Sequence, residues 1–477
     1  MIRKPVFPRL IGLLGLYGGV FILLVMIQFT KQAGEPRPDG RSLRRAAGSY
    51  REFPEKRDFV PADFVIPAAR SAQTYNEALI RWGDQNFSLW NRDISNQNDE
   101  DMVIAYQGEA VRRGNYRAAV SAVSQAFLNG TRRTYESSVY LGGAEIAARS
   151  LAAADQEKTG RLSRQIIEKS PDFLRESHAF EFFVIRGDTN FINNGMALIS
   201  SIDPADLTPE LTPGVFEGLM DLRLYRPNGD NPFEGLVDQA CFVISQSIRR
   251  MPGTKGTDLI LVFQGDTADI EFNMRLGKAL LVWAESLGSG DWIHLGRSLI
   301  LSCLSLEDGS GTVPAALTIN RAGEPGEDGA PRVSSARLYR ILRIGEYYPR
   351  AAAIGSALNG LCAWTAAPTV SAAQENSVLD IAVTFPAGEA HYLLIRGVRP
   401  FSRIELHGTD WRTDSQFERY DSSGWVYRAQ DQILVIKLRH RATVEHVRIF
   451  YGAAAAPVTP PAENAPQQQV SEETGGE

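Results

Sequence analysis

The sequence predicts a multidomain α + β protein with an N-terminal transmembrane helix, an α-helical domain and a C-terminal antiparallel β-sandwich. Three observations lead to this fold class. Residues 10–29 form an apolar run without a formal charge. In the long middle part, apolar residues recur every three to four positions, which is the period of an α-helix. Near the C-terminus they alternate with polar residues, which is typical of half-buried strands.

The apolar run at residues 10–29 is long enough to cross a bilayer core as one helix. Arg3, Lys4 and Arg9 precede it, as in the basic segment of a secretory signal. The apolar core is longer than that of a cleaved signal, and no small-x-small cleavage site follows it. We therefore predict an uncleaved signal-anchor.

The orientation of this helix is predicted from its flanks. Basic residues also follow it, at Lys31, Arg37, Arg41, Arg44 and Arg45. A short basic N-terminal tail usually stays in the cytoplasm, and long domains translocate largely regardless of charge. We expect residues 1–9 in the cytoplasm, one pass through the inner membrane and the body in the periplasm. A count over both flanks favours a cytoplasmic body, and this alternative stays open.

Composition and motifs exclude several classes of function. The formal net charge of −6 argues against a nucleic-acid partner, which needs a basic footprint. The three cysteines are dispersed, as expected for small buried side chains rather than disulfides or a zinc site. The motifs HExxH, GxSxG and GxxxxGK[ST] are absent, as are an EF-hand loop and GxGxxG after a strand. The six histidines form no metal-binding pattern, so we expect neither a metal nor a cofactor.

Residues 30–71 are rich in Pro, Arg and Gly and are predicted to be a juxtamembrane linker. Residues 72–370 are predicted to be helical, with one short strand at 258–266. The helices are expected at 116–130, 134–154, 159–171, 189–200, 213–224, 233–250, 270–288 and 291–308. The last two should form an antiparallel hairpin across a Gly-Ser-Gly turn. Helices in such pairs fit either a closed α/α toroid or an α-solenoid, although no 34-residue repeat is present.

Residues 371–452 are predicted to form the β-sandwich. Six alternating segments separated by turn residues indicate its strands, at 378–385, 391–398, 402–408, 424–429, 432–440 and 444–452. Residues 453–477 consist of Ala, Pro, Gln and Glu without periodicity, and we predict that they are disordered.

The segments "GVRPFSRIELHG", "SSGWVYRA" and "ILVIKLRH" within 395–451 resemble the small β-sandwich domains appended to bacterial carbohydrate-active enzymes, such as those C-terminal to α-glucosidases. The order of anchor, helical domain and sandwich is similar to large membrane-anchored periplasmic proteins of spirochaetes, a likeness that implies no activity. A toroid followed by a sandwich also resembles several polysaccharide lyases and six-hairpin glycosidases. These likenesses imply a fold, and function does not follow from fold.

The best cluster of candidate catalytic residues is Asp266, Asp269 and Glu271, where a strand-like segment runs into a helix. Glycoside hydrolysis needs two carboxyl groups that face one another across the scissile bond. Asp269 is equally suited to be a helix N-cap, and Glu271 to be a first-turn residue that the helix dipole favours.

Candidate ligand-binding residues are Glu346, Tyr347 and Tyr348 in "GEYYP", together with Trp411 in a long loop. Aromatic rings beside a carboxylate suit a sugar ring, but they suit the seal of an interdomain seam equally well. The charged residues around Trp411 could hold a binding loop, or they could simply pair with one another.

The sequence thus leads to two hypotheses. The first is a membrane-anchored binding or scaffolding protein of the cell envelope, whose ligand is a glycan or another envelope protein. The alternative is an envelope polysaccharide hydrolase or lyase with its cleft in the helical domain.

Overall fold

A computed structural model describes residues 72–253, 258–319, 325–327, 329–355, 359–413 and 416–452. The predicted anchor at 10–29, its flanks 1–9 and 30–71, and the tail 453–477 lie outside the described residues and stay predictions. Among the helices that the structure describes, none combines the length and the apolar character needed to cross a membrane.

Helices fill the first part of the described chain and antiparallel sheets fill the last, which confirms the mixed helical and sheet composition at this level. The described helices are α1 (Ala72–Asp93), α2 (Glu100–Arg112), α3 (Tyr116–Ala122), α4 (Gln125–Leu128), α5 (Tyr135–Leu141), α6 (Ala144–Ile167), α7 (Ala179–Val184), α8 (Thr189–Ser201), α9 (Thr212–Tyr225), α10 (Glu234–Ser247), α11 (Ile270–Leu287), α12 (Gly290–Ser305) and α13 (Ala336–Leu342).

Two glycines move the predicted helix boundaries between residues 134 and 171. Gly142 and Gly143 both have positive φ, at 75° and 79°. A Cβ on Gly142 would collide with Tyr392 and Glu418, and one on Gly143 would collide with Arg133. The chain therefore breaks here, and the Ala-rich segment and the following predicted helix join as the single helix α6.

The predicted hairpin of α11 and α12 is present, and the two helices pack closely along their length. Gly277 of α11 and Gly296 of α12 allow this approach. A Cβ on Gly296 would lie 2.8 Å from the carbonyl oxygen of Gly277 and 3.0 Å from the amide of Leu281. The helix late in the chain, α13, packs against both α11 and α2, and α12 packs against α1.

Short strands interrupt the helical part. The predicted strand at 258–266 is β2 (Asp258–Val262), which pairs with β1 (Ile248–Pro252), so the helix expected to reach residue 250 ends at Ser247. The others are β3 (Thr267–Asp269), β4 (Thr312–Pro314), β5 (Ala316–Ile319), β6 (Pro325–Gly326) and β7 (Arg332–Ser334).

The C-terminal part contains two five-stranded antiparallel sheets. Sheet one has the order β10-β11-β17-β13-β14, and sheet two has the order β15-β16-β12-β9-β8. Sheet two takes chain from Arg350 onward, before the predicted boundary at 371. The strands are β8 (Arg350–Ala353), β9 (Cys362–Thr365), β10 (Thr369–Glu375), β11 (Val378–Thr384), β12 (Ala390–Arg396), β13 (Arg403–Leu406), β14 (Thr409–Trp411), β15 (Gly424–Arg428), β16 (Ile433–Arg439) and β17 (Val444–Phe450).

Sheet two lies between sheet one and the helices. Alternate residues of β12 and β16, such as Leu393 and Leu434, share one core with sheet one. Their neighbours Leu394 and Val435 belong instead to the core of the helices. Helix α5 packs on β12 and α6 on β16. Both faces of these central strands are therefore dry, and the helical part and the sheets share a continuous interface.

A buried histidine pair lies at this interface. His391 is fully buried, stacks on Phe385 at 4.1 Å between ring centroids and lies 5.2 Å from the ring of His440. Neither ring nitrogen of His391 has a hydrogen-bond partner. Burial, and then the neighbouring His440, hold the pKa of His391 well below its usual range.

We expect this histidine to make the fold acid-sensitive. A His whose folded-state pKa is lowered contributes stability above its unfolded pKa of about 6.5, and this stability is lost as the pH falls below that value, by at most about 1.4 kcal/mol per pH unit. His391→Phe, which keeps the stacked ring, should reduce the fall in unfolding free energy between pH 7.5 and pH 5.5, measured by denaturant titration. An unchanged pH dependence would contradict this assignment.

The glycine contact between α11 and α12 gives a second prediction. Gly296→Ala should lower the unfolding free energy by about 1–3 kcal/mol, because its Cβ meets backbone atoms that cannot move aside freely. The control is Gly290→Ala, at the first residue of α12, where a Cβ would meet nothing within 4 Å. Equal stability of the two variants in denaturant titrations would show that the helices are not held this closely.

Candidate functional site

The predicted catalytic residues Asp266, Asp269 and Glu271 have three separate environments. Asp266 lies on an exposed turn before β3. Asp269 is the N-cap of α11 and accepts a hydrogen bond of 2.7 Å from the amide of Phe272. Glu271 forms an ion pair with Arg337 at 3.0 Å. Of the three, only Glu271 lines the large cleft described below.

Glu346, Tyr347 and Tyr348 lie between α13 and β8, at the seam between helices and sheet. Glu346 is exposed. The carbonyl oxygen of Tyr347 accepts a hydrogen bond from the hydroxyl of Tyr140, and its ring meets Phe385 edge-on at 5.7 Å. Tyr348 is buried against Tyr339. The two tyrosine side chains contribute to the seam.

Trp411, expected in a long loop, is instead the last residue of β14, where it pairs with Ile404 just before the β14–β15 connection. Its indole N–H donates to the carbonyl oxygen of Ser423 at 2.8 Å, and its own carbonyl oxygen accepts from the indole of Trp425 at 2.8 Å. The loop is fixed further by Asp421, which pairs with Lys437 and Arg439. Trp411 thus fastens its loop to sheet two.

A cleft of about 770 Å³ lies between the helices and sheet two. Its walls come from the helices α2, α5, α6, α7, α9, α11 and α13, from the segment that leads into α7, and from the strands β8, β9 and β12. Buried apolar residues of the seam, such as Leu394, form part of its lining.

Helical periodicity places charged side chains of α6, α11 and α13 on the cleft. Asp155, Lys158 and Arg161 recur at three-residue spacing on α6, so that they share one face. Glu271, Arg275 and Lys278 share one face of α11 in the same way, at spacings of four and three residues. Arg337 and Arg340 are one turn apart on α13, and Arg343 follows that helix.

The cleft is richer in cations than the chain as a whole, which carries a formal charge of −6. Seven carboxylates line it, at Asp101, Glu136, Asp155, Glu157, Glu181, Glu217 and Glu271. Nine Arg and Lys side chains oppose them, at Lys158, Arg161, Arg186, Arg275, Lys278, Arg337, Arg340, Arg343 and Arg396.

Most of these arginines are neutralised, but three cations are not. Asp155 is shared by Arg186 and Arg396, and Arg340 bridges Asp101 and Glu136. Lys158, Lys278 and Arg343 form no ion pair with any described residue. The positive charge of the cleft is therefore concentrated on these three side chains.

A buried network around Glu217 organises one end of the cleft. Glu217 accepts two hydrogen bonds from the Arg275 guanidinium, at 2.8 and 2.9 Å, and one from the amide of His178 at 3.0 Å. Burial raises the pKa of Glu217, but the charges of Arg275 and His178 and their hydrogen bonds outweigh it and bring the pKa to about 2. Glu217 therefore stays ionised and fixes both partners.

The same network orients the imidazole of His178. Its Nδ1 lies 3.1 Å from Asp221, one turn beyond Glu217 on α9. Nε2 has no partner among the described residues, and the side chain is 32% exposed, on the cleft. Burial lowers the pKa of His178, but Glu217, Asp221 and Glu181 together outweigh it and raise it. His178 is therefore suited to carry a proton, or a positive charge, toward a ligand.

The backbone of His178 is left-handed, with φ = 47°, which is uncommon for a residue other than glycine. The hydrogen bonds of its amide to Glu217 and of its ring to Asp221 hold this conformation. Such strain persists only where the surroundings fix it, and it is often found at functional sites.

Aromatic side chains add two kinds of surface to the cleft. The face of Phe182 is covered by the guanidinium of Arg186 at 3.5 Å and the ammonium of Lys158 at 5.0 Å. Tyr135 and Trp364 meet edge-on at 5.2 Å.

The residues that the structure describes contain no cluster of three or more His, Cys, Asp and Glu side chains suited to a metal ion.

The comparisons with known proteins yield no match, either to a protein-family model or to a curated protein. The interpretation of the cleft therefore depends on its geometry and charge.

Removal of the Glu217 charge should destabilise the protein strongly. Glu217→Gln leaves the guanidinium of Arg275 buried without its counter-charge, and breaking a buried pair in this way costs about 3–5 kcal/mol. The matched control is Glu157→Gln on the rim, where a carboxylate that is 77% exposed should contribute less than about 1 kcal/mol. Similar losses of unfolding free energy in the two variants would contradict the role given to Glu217.

Proposed function

We propose that this chain is a binding protein of the cell envelope that takes an anionic ligand, an acidic glycan, in the cleft between its helices and sheet two. The observation that carries the proposal is the excess of cations on the cleft of an otherwise acidic chain. Lys158 and Arg343 have no carboxylate partner among the described residues, so a ligand carboxylate would meet charges that are not already neutralised. Lys278 also has no carboxylate partner among them, and it adds a third charge when its amine is protonated.

The preference for a glycan follows from the walls of the cleft. Its charged side chains come from several elements, which suits a ligand that carries several separated carboxylates. The rings of Tyr135 and Trp364 offer apolar surface beside them. A cleft of about 770 Å³ is of the size that holds a short saccharide or similar ligand.

The envelope location depends on the predicted signal-anchor at residues 10–29, with the body in the periplasm.

We infer further that the helices close into a toroid-like arrangement rather than an open solenoid. The contacts of α13 with α2 and of α12 with α1 support this, since they join helices from opposite ends of the helical part.

The binding proposal predicts a loss of affinity for a polyuronate when a free cation is removed. Arg343→Asn should weaken the binding of oligogalacturonate about tenfold, because a charged hydrogen bond of about 1.5 kcal/mol is lost. Asn tolerates the left-handed backbone of residue 343, where φ is 50°. Affinity would be measured by calorimetry on the full chain in detergent, and it should fall as salt is added.

Lys169→Asn is the matched control. Lys169 is also a cation in the left-handed conformation after a helix, with φ = 54°, but it does not line the cleft. It should bind as the wild type does. Two results would refute the anion site. One is that the wild type, Arg343→Asn and Lys169→Asn bind oligogalacturonate with equal affinity. The other is that the wild type binds uncharged maltooligosaccharides as tightly as oligogalacturonate.

A hydrolase or lyase acting on the same class of ligand is the second candidate. The observation that favours it is His178, which lines the cleft, with Nδ1 held by Asp221 and no partner for Nε2 among the described residues. An enzyme that uses this histidine would release new reducing or unsaturated ends from a polyuronate. This release should be lost in His178→Asn and kept in Asp269→Asn. Retention of the polymer without product would support the binding protein.

A further inference from the structure

Lys278 differs from the other lysines that the structure describes. The sequence contains only eight lysines, and two of them, Lys158 and Lys278, line the cleft. The side chain of Lys278 leaves α11 one turn after Arg275. Its Nζ donates a hydrogen bond of 2.6 Å to the carbonyl oxygen of Ile341, and no carboxylate of the described residues lies within ion-pair distance.

The surroundings of Lys278 favour the neutral amine. Helix α11 packs on α9 and α13, and the charged groups that act on Lys278 are Arg343 after α13, Glu217 on α9 and Glu181 on α7. Glu217 is already engaged by Arg275. Burial first, and then the charge of Arg343, lower the pKa of Lys278 to about 7, against the weaker opposing effect of the two glutamates.

A neutral amine in this position has a free lone pair. One N–H is sufficient for the hydrogen bond to Ile341, so that interaction survives deprotonation. Lysines that are desolvated beside another cation act as nucleophiles toward carbonyl carbons. The cationic surroundings that would attract an anion therefore also prepare an amine to react with it.

We propose that Lys278 condenses with the carbonyl carbon of an anionic aldehyde or ketone held in the cleft and forms an imine. This proposal rests on the anion site proposed above, and it narrows the ligand to compounds that carry a carbonyl group beside a carboxylate or phosphate. The reducing end of an acidic saccharide, in its open-chain form, is one such compound.

The step is balanced without an oxidant or reductant. The Nζ lone pair attacks the carbonyl carbon, and the oxygen takes a proton to give a carbinolamine. The hydroxyl then takes a second proton from solvent and departs as water when the C–O bond breaks, while the nitrogen lone pair forms the C=N bond and the nitrogen returns its remaining proton to solvent. Amine and carbonyl thus give an imine and one water molecule.

The experiment uses the full chain in detergent micelles, treated with pyridoxal 5′-phosphate as an anionic aldehyde and reduced with borohydride. Peptide mapping by mass spectrometry then gives the rate of labelling at each lysine. At pH 7 Lys278 should be labelled at least tenfold faster than the exposed Lys169, with a pH midpoint near 7. The adduct at this site should disappear in Lys278→Arg, while the circular dichroism spectrum is retained.

Arg343→Asn tests the electrostatic cause separately. Removal of this cation should raise the pH midpoint of Lys278 labelling, since the ammonium form no longer faces a like charge. Labelling of Lys278 no faster than that of Lys169, or a midpoint above pH 9 in the wild type, would overturn the proposal.

A competitor without the carbonyl group separates this proposal from the anion site. Pyridoxine 5′-phosphate carries the same phosphate but cannot form an imine, and it should slow the acetylation of Lys278 by acetic anhydride. Protection of Lys278 without any imine would overturn the imine alone. Neither protection nor an imine would overturn both proposals.

Discussion

The contact between the helices and sheet two is the constraint on which the rest of the structure depends. Phe385, Tyr140 and Tyr348 belong to one hydrophobic core that continues from the helices into the sheet. Glu418, from the β14–β15 connection, accepts hydrogen bonds from the amides of Gly143 and Ala144 and so caps the long helix α6. Because this seam fixes α6 against sheet two, it also fixes the two walls of the cleft. Charged groups can then be held at defined positions above a dry base.

Much of the fold could be predicted from local patterns, but its boundaries depend on distant contacts. The six predicted strands exist because their alternation matches the pleat of a sheet. Strand β8 is rich in Ala, and nothing in "RAAA" indicates that it pairs with a neighbour. The break at Gly142 depends on Tyr392 and Glu418, which lie about 250 residues or more further along the chain. The apolar run "ILVI" at the start of β16 is a usable signal that this strand is covered on both faces.

The site was less accessible to sequence reasoning than the fold. The local sequence suits Asp269 to be a helix N-cap and Tyr348 to be part of an interdomain seam. Both structural roles could therefore be predicted beside the functional ones. The cleft residues, by contrast, come from α6, α7, α9, α11 and α13, and each element alone looks like an ordinary solvated face. Only the packing of these helices brings Lys158, Lys278 and Arg343 around one space. The chemistry of this cleft is thus a property of the tertiary structure.

The most direct test of the cleft as a binding site is to map where an acidic saccharide binds. Hydrogen–deuterium exchange of the full chain, with and without oligogalacturonate, would report this for each segment. If the saccharide binds in the cleft, exchange should slow in the cleft-facing segments of α6, α11 and α13 and in the loop that carries His178, and exchange in the distant strands of sheet one should not change. Protection confined to the loop of Trp411, or no change at any of the cleft segments at saturating ligand, would contradict the central claim that this cleft is the binding site.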